Sequence, residues 1–133
     1  MQRKWRVAGA ALATLALAAG AYAADLDLSD FDDSLMRSMD DAIKDLDSNV
    51  GGQELSAAEA NVQVLRDGLA WAEKYFSAKP EAPRGAGFAR ESQENLALVT
   101  KSLEVRDFDA ASNGVRAVAR SCKACHEAYK PPE

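Results

Sequence analysis

Cys122-Lys123-Ala124-Cys125-His126 contains both cysteines and the sole histidine of the chain. On a helix, thiols at i and i+3 share one face, and an imidazole at i+4 follows on the same side. That is the geometry of covalent haem attachment. Cys122 and Cys125 would bond the two vinyl groups of a porphyrin, and His126 would meet its iron as the proximal ligand.

Three plainer chemistries compete for the same residues. A dithiol redox pair usually opens a helix after a strand, whereas this pair lies deep in the last helical stretch of a chain with no strand pattern. Structural zinc needs two further sulfur or imidazole ligands, and the sequence has none left. A disulfide across three residues would close almost no loop, and it would leave the adjacent histidine unexplained.

The opposite face of such a haem has few protein donors to draw on. A second histidine is absent, and beyond the first residue the chain's methionines are Met36 and Met39, one helical turn apart. Thioethers at helical spacing also serve as plain core filling. Ligation by either one, or iron left open on that side, are the alternatives at this point.

The elements that must position these groups are helices, since apolar residues recur in steps of three and four and β-branched clusters are missing. The first helix is predicted over about residues 30–50, with Phe31, Leu35, Met39, Ile43 and Leu46 on its inner stripe, Ser29 as N-cap and Gly51-Gly52 ending it. Ser56 and Glu59 have the form of a capping box at the start of a second helix, whose seam is Leu55, Ala58, Val62, Leu65, Leu69, Ala72 and Phe76. Pro80, Pro83, Gly85 and Gly87 place the longest loop at residues 78–87.

A third helix follows over about residues 88–105, with Phe88, Leu96, Val99 and Leu103 facing inward and Ser92 and Asn95 interrupting the stripe. Asp107 caps the fourth. Its seam, Phe108, Ala111, Val115, Val118, Cys122, Cys125 and Tyr129, is the most regular of all and turns both cysteines toward the core, until Pro131 and Pro132 stop the helix. The short connection at Arg106 and Asp107 requires the last two helices to run antiparallel. The expectation is an all-α, antiparallel up-down-up-down four-helix bundle with one covalently bound haem. In that topology the start of the first helix adjoins the end of the fourth. Met36 then lies roughly 9 Å from its helix start and His126 roughly 6 Å from its helix end, at similar depth.

Ahead of this domain, Arg3, Lys4 and Arg6 precede an apolar run from Val7 to Ala19 and the sequence Ala21-Tyr22-Ala23. This reads as a secretory signal peptide, residues 1–23, cleaved after Ala23 and leaving residues 24–133 as one domain. The apolar run is shorter than the roughly 20 residues of a transmembrane helix, so no stable membrane insertion is expected. Loss of the three basic residues would shift the formal charge from −5 to −8. So acidic a chain, with no basic stripe, is a poor binder of nucleic acid.

The residues from Ser121 to Lys130, and the Asp107-Phe108-Asp109 helix start, resemble the cytochrome c-prime family, whose members are four-helix bundles with the attachment motif near the C-terminus. One branch of that family leaves the distal iron face open and binds small gases; a low-spin branch uses a methionine of the first helix. Leu35-Met36-Arg37 resembles the segment carrying that methionine, which implies Met36 rather than Met39 as distal ligand. This chain has Asp32 one turn earlier, where relatives often show arginine. The resemblance further implies an aromatic near the haem at Phe88, a basic residue flanking the proximal histidine at Lys130, and homodimers formed through the first two helices. Phe88 as plain core and Lys130 as a solvated lysine favoured by the helix dipole are the alternatives.

The function expected is that of a periplasmic one-electron carrier with haem c, its iron held by His126 and Met36, exchanging electrons with other redox proteins through transient interfaces. The alternative is five-coordinate iron that binds or senses nitric oxide or another diatomic gas. Peroxidase-type catalysis lacks a distal histidine as general base, so no enzymatic activity is expected.

Overall fold

The computed structural model describes residues 26–129. The leader assigned to residues 1–23, and Lys130, Pro131 and Pro132, lie outside them. The described residues form four helices and no strand: α1 (Asp33–Gly51), α2 (Leu55–Ser77), α3 (Gly85–Glu104) and α4 (Phe108–Tyr129). None of them is long and apolar enough to cross a membrane.

Each helix packs on its neighbours in sequence, and α1 closes the ring against α4 through the smallest of the four interfaces. The core is built from the seams legible in the sequence. Met39, Leu46, Val62, Leu65, Leu69, Leu96, Val99, Leu103, Val115 and Val118 are all buried. Leu35, Ile43, Leu55, Phe108 and Cys122 pack against that cluster from its margin.

The helix ends depart from expectation in instructive ways. Asp32, not Ser29, caps α1: its backbone is extended and its side chain accepts the Leu35 N–H at 3.0 Å. The Phe31 N–H instead bonds to Leu28 O in a turn, so Phe31 precedes the helix rather than riding on it. The capping box at Ser56 and Glu59 does not form. The helix starts at Leu55 with Glu54 at the cap position and no side-chain cap bond, which puts Ser56 already inside the first turn. Between α1 and α2 the left-handed residue is Gln53, at φ 57°, while Gly52 stays right-handed.

The loop after α2 is shorter than expected, because α3 begins at Gly85 rather than Phe88. An added Cβ at Gly85 would stand 2.8 Å from Phe76 Cβ. Glycine there lets the first turn of α3 lie directly on the Phe76 ring, and the helix extends backward to make that contact. Asp107 does cap α4, accepting the Ala110 N–H at 2.9 Å.

Candidate haem site

Cys122, Cys125 and His126 sit on the last turns of α4, and all three are half-buried. They form one wall of an apolar cleft that opens to solvent. Met36, Met39, Asp40 and Ile43 of α1 border the same cleft. Its remaining lining comes from α2 and α3, including Leu65, Phe76, Phe88 and Ser92. The structure thus brings both cysteines, the histidine and both methionines to one cleft, while Lys130 lies outside the described residues.

The end of α4 is held from two sides. The Tyr129 ring stacks on Phe76 at 5.8 Å and meets the edge of Phe88 at 6.2 Å, while its hydroxyl accepts the Arg84 N–H at 3.0 Å. The start of α1 is held by a polar clamp. Tyr75 Oη donates to Asp30 Oδ1 at 2.6 Å, and Lys79 Nζ donates to the same oxygen at 2.9 Å and to Asp27 O at 2.8 Å. These bonds to Tyr75 and then Lys79 hold the Asp30 carboxyl below its usual range. The clamp ties the segment before α1 to the end of α2, and Phe31 packs edge-on against the stacked rings of Trp71 and Tyr75 beside it. The α1 and α4 sides of the cleft are therefore each held by contacts with α2 or α3.

Burial raises the Cys122 thiol above its ordinary range, partly opposed by a hydrogen bond with Ser92, and the nearby Asp40 charge adds to the rise. Cys125 is pushed up to about 11, chiefly by burial and then by the proximity of Cys122. Both thiols are neutral at physiological pH in the folded chain. Among the described residues, no three His, Cys, Asp or Glu side chains gather as a metal-binding group. A porphyrin brings its own equatorial nitrogens, so haem iron asks the protein only for axial donors.

The lining fits that group. The cleft is lined mostly by apolar side chains with a few convergent polar or soft donors, the chemistry of a cofactor pocket. The two thiols and the imidazole share one wall, and thioethers stand on the helix that closes the ring against it.

No known family model, curated protein or solved structure matches this chain.

Phe88 is buried in the core and also borders the cleft. Asp32, exposed, serves as the α1 cap. The sequence marked Ser92 only as an interruption of the α3 stripe, and it gave no sign of Asp40, Gly68 or Lys79. Ser92 was legible as the missing step of four between Phe88 and Leu96, a polar residue on an inward stripe. Asp40 and Lys79 are polar and carry no core signal, and Gly68, though three residues after Leu65 and four before Ala72, has no side chain to mark the seam.

Proposed function

We propose that this chain is an exported c-type cytochrome, a periplasmic one-electron carrier whose single haem c is thioether-linked to Cys122 and Cys125. Its axial donors would be His126 on the proximal side and Met36 on the distal side. The observation that carries this reading is the apolar cleft with the cysteine pair and histidine on α4 and two methionines on α1.

The up-down-up-down arrangement belongs to the same proposal. Its support is contacts at antiparallel positions: Asn49 with Asn61 and Phe31 with Tyr75 toward the two ends of the α1–α2 pair, Phe76 with Gly85 at the α2–α3 turn, and Asn95 with Ser121 midway along α3 and α4.

When bound, the haem supplies a one-electron couple. The chain's own residues supply the rest. His126 and Met36 would hold the iron in either oxidation state, so that little rearrangement would accompany electron exchange. A soft thioether favours ferrous over ferric iron and raises the potential relative to purely nitrogen ligation. The apolar walls from Leu65, Phe76 and Phe88 would exclude water and reinforce that preference. Other redox proteins would be the partners, meeting the protein through small transient interfaces.

The test is to mature the full chain in a host with haem-attachment machinery and measure its mass and visible spectrum. The expected result is the mass of one haem added to the polypeptide, lost when Cys122 and Cys125 are replaced by alanine, with a low-spin ferric spectrum and a sulfur-to-iron charge-transfer band. A bare polypeptide overturns the reading. A covalent haem with a high-spin ferric spectrum would replace the electron carrier by the gas-binding alternative.

A further inference from the structure

Met36 and Met39 both border the cleft, but their packing differs. Met39 is only 5% exposed, whereas Met36 is half-buried. Opposite Met39 on α2 lies Gly68, itself buried. A Cβ added at Gly68 would stand 2.5 Å from Met39 Cγ, closer still to Met39 Sδ, and 3.6 Å from Leu35 Cδ1. The Met39 thioether therefore fills the volume that any side chain at position 68 would take.

Gly68 has no backbone reason to be glycine. It lies inside α2, and no described glycine has positive φ. Glycine in a helix interior costs stability relative to alanine, through the freedom it loses on folding. The contact that explains its presence is the seat it gives to Met39.

We infer that Gly68 is a positioning residue: by seating the Met39 sulfur against α2 it leaves the distal iron position to Met36. This rests on the haem reading above. To reach iron, Met39 would have to vacate a packed seat and leave a void beside Gly68, which close-packed interiors resist. Met36 gives up no such seat.

The test uses the full chain with haem attached, and every variant is checked for the mass of one haem and for helical circular dichroism. Met36→Ala is expected to be high-spin, because Met39 stays seated. Adding Gly68→Ala should evict the thioether into the cleft and restore a low-spin spectrum with its sulfur-to-iron band, and a further Met39→Leu should abolish it. A low-spin Met36→Ala protein, or a folded Met36→Ala/Gly68→Ala protein that stays high-spin, overturns the inference.

A second measurement leaves Gly68 untouched. Imidazole binding to Met36→Ala and to Met36→Ala/Met39→Leu should agree within about twofold, since a seated Met39 does not compete; binding about tenfold weaker in the variant that keeps Met39 overturns the inference. Absence of attached haem in the wild-type chain sinks the haem reading itself, whereas these spectral and binding outcomes bear on Gly68 alone.

Discussion

Asn95 Nδ2 donates to Ser121 Oγ at 3.0 Å, joining α3 to α4 at the residue that precedes Cys122. The Ser121 hydroxyl, 3% exposed as a residue, in turn donates to Ala117 O at 3.2 Å. This polar tie fixes the rotation of α4 at the point where its first cysteine meets the cleft.

Asn95→Ala removes the donor and leaves the Ser121 hydroxyl one partner short, with an expected loss of about 1 kcal/mol. Urea unfolding followed by circular dichroism measures it. Because the tie lies behind the cleft wall, haem stoichiometry should stay at one per chain.

Gly114 presses on α3: an added Cβ would stand 2.7 Å from Val99 Cγ2 and 3.4 Å from the Val99 backbone nitrogen. Alanine has the better helix propensity, yet Val99 is β-branched with one favoured rotamer and its backbone cannot yield. The two helices must separate, and Gly114→Ala is expected to cost about 1–3 kcal/mol. A stabilised variant would show that α3 can shift freely.

Capping separates two positions that look alike in sequence. Asp107 accepts the Ala110 N–H, so Asp107→Ala should cost about 1 kcal/mol. No side-chain cap bond holds the start of α2, so Ser56→Ala should be neutral or slightly stabilising. Thermal melts of the two variants side by side decide the point.

The cysteines give the haem-free chain a pH signature. Cys125 is raised to about 11 from an ordinary 9.0, and Cys122 moves the same way, so the folded state holds thiol protons that the unfolded state releases earlier. The stabilisation is complete below about pH 9 and lost as pH rises toward 11, to the extent of roughly 1–2 kcal/mol after allowance for partial exposure. Chain expressed without attachment machinery should show this loss relative to a Cys122→Ala/Cys125→Ala control, which removes the contributions of lysines and tyrosines. Equal pH profiles for the two would contradict it.

The bundle and its site were legible to the extent that they depend on periodicity. The α2 and α4 seams run in unbroken steps of three and four, and the buried positions follow them closely. The shared face of Cys122, Cys125 and His126 was legible from their spacing alone, and the three side chains do line one cleft. Helix ends were not, because a cap depends on backbone conformation at one residue. Ser29, Asp30, Asp32 and Asp33 all precede the same apolar stripe, and only the extended backbone at Asp32 selects the cap. Gly68 and Gly85 were opaque for a different reason. A glycine read in one dimension signals a turn, whereas here each serves a side chain on another segment, Met39 and Phe76.

The α1–α4 interface, the smallest in the ring, also joins the segments farthest apart along the chain. Closing it carries the largest entropic cost of any pairing in the bundle and returns the least contact. Folding should therefore assemble the three sequential helix pairings first and finish on this seam. Amides of α1 should then exchange with solvent faster than those of α3, and a ligand bridging the two walls would slow the former far more than the latter.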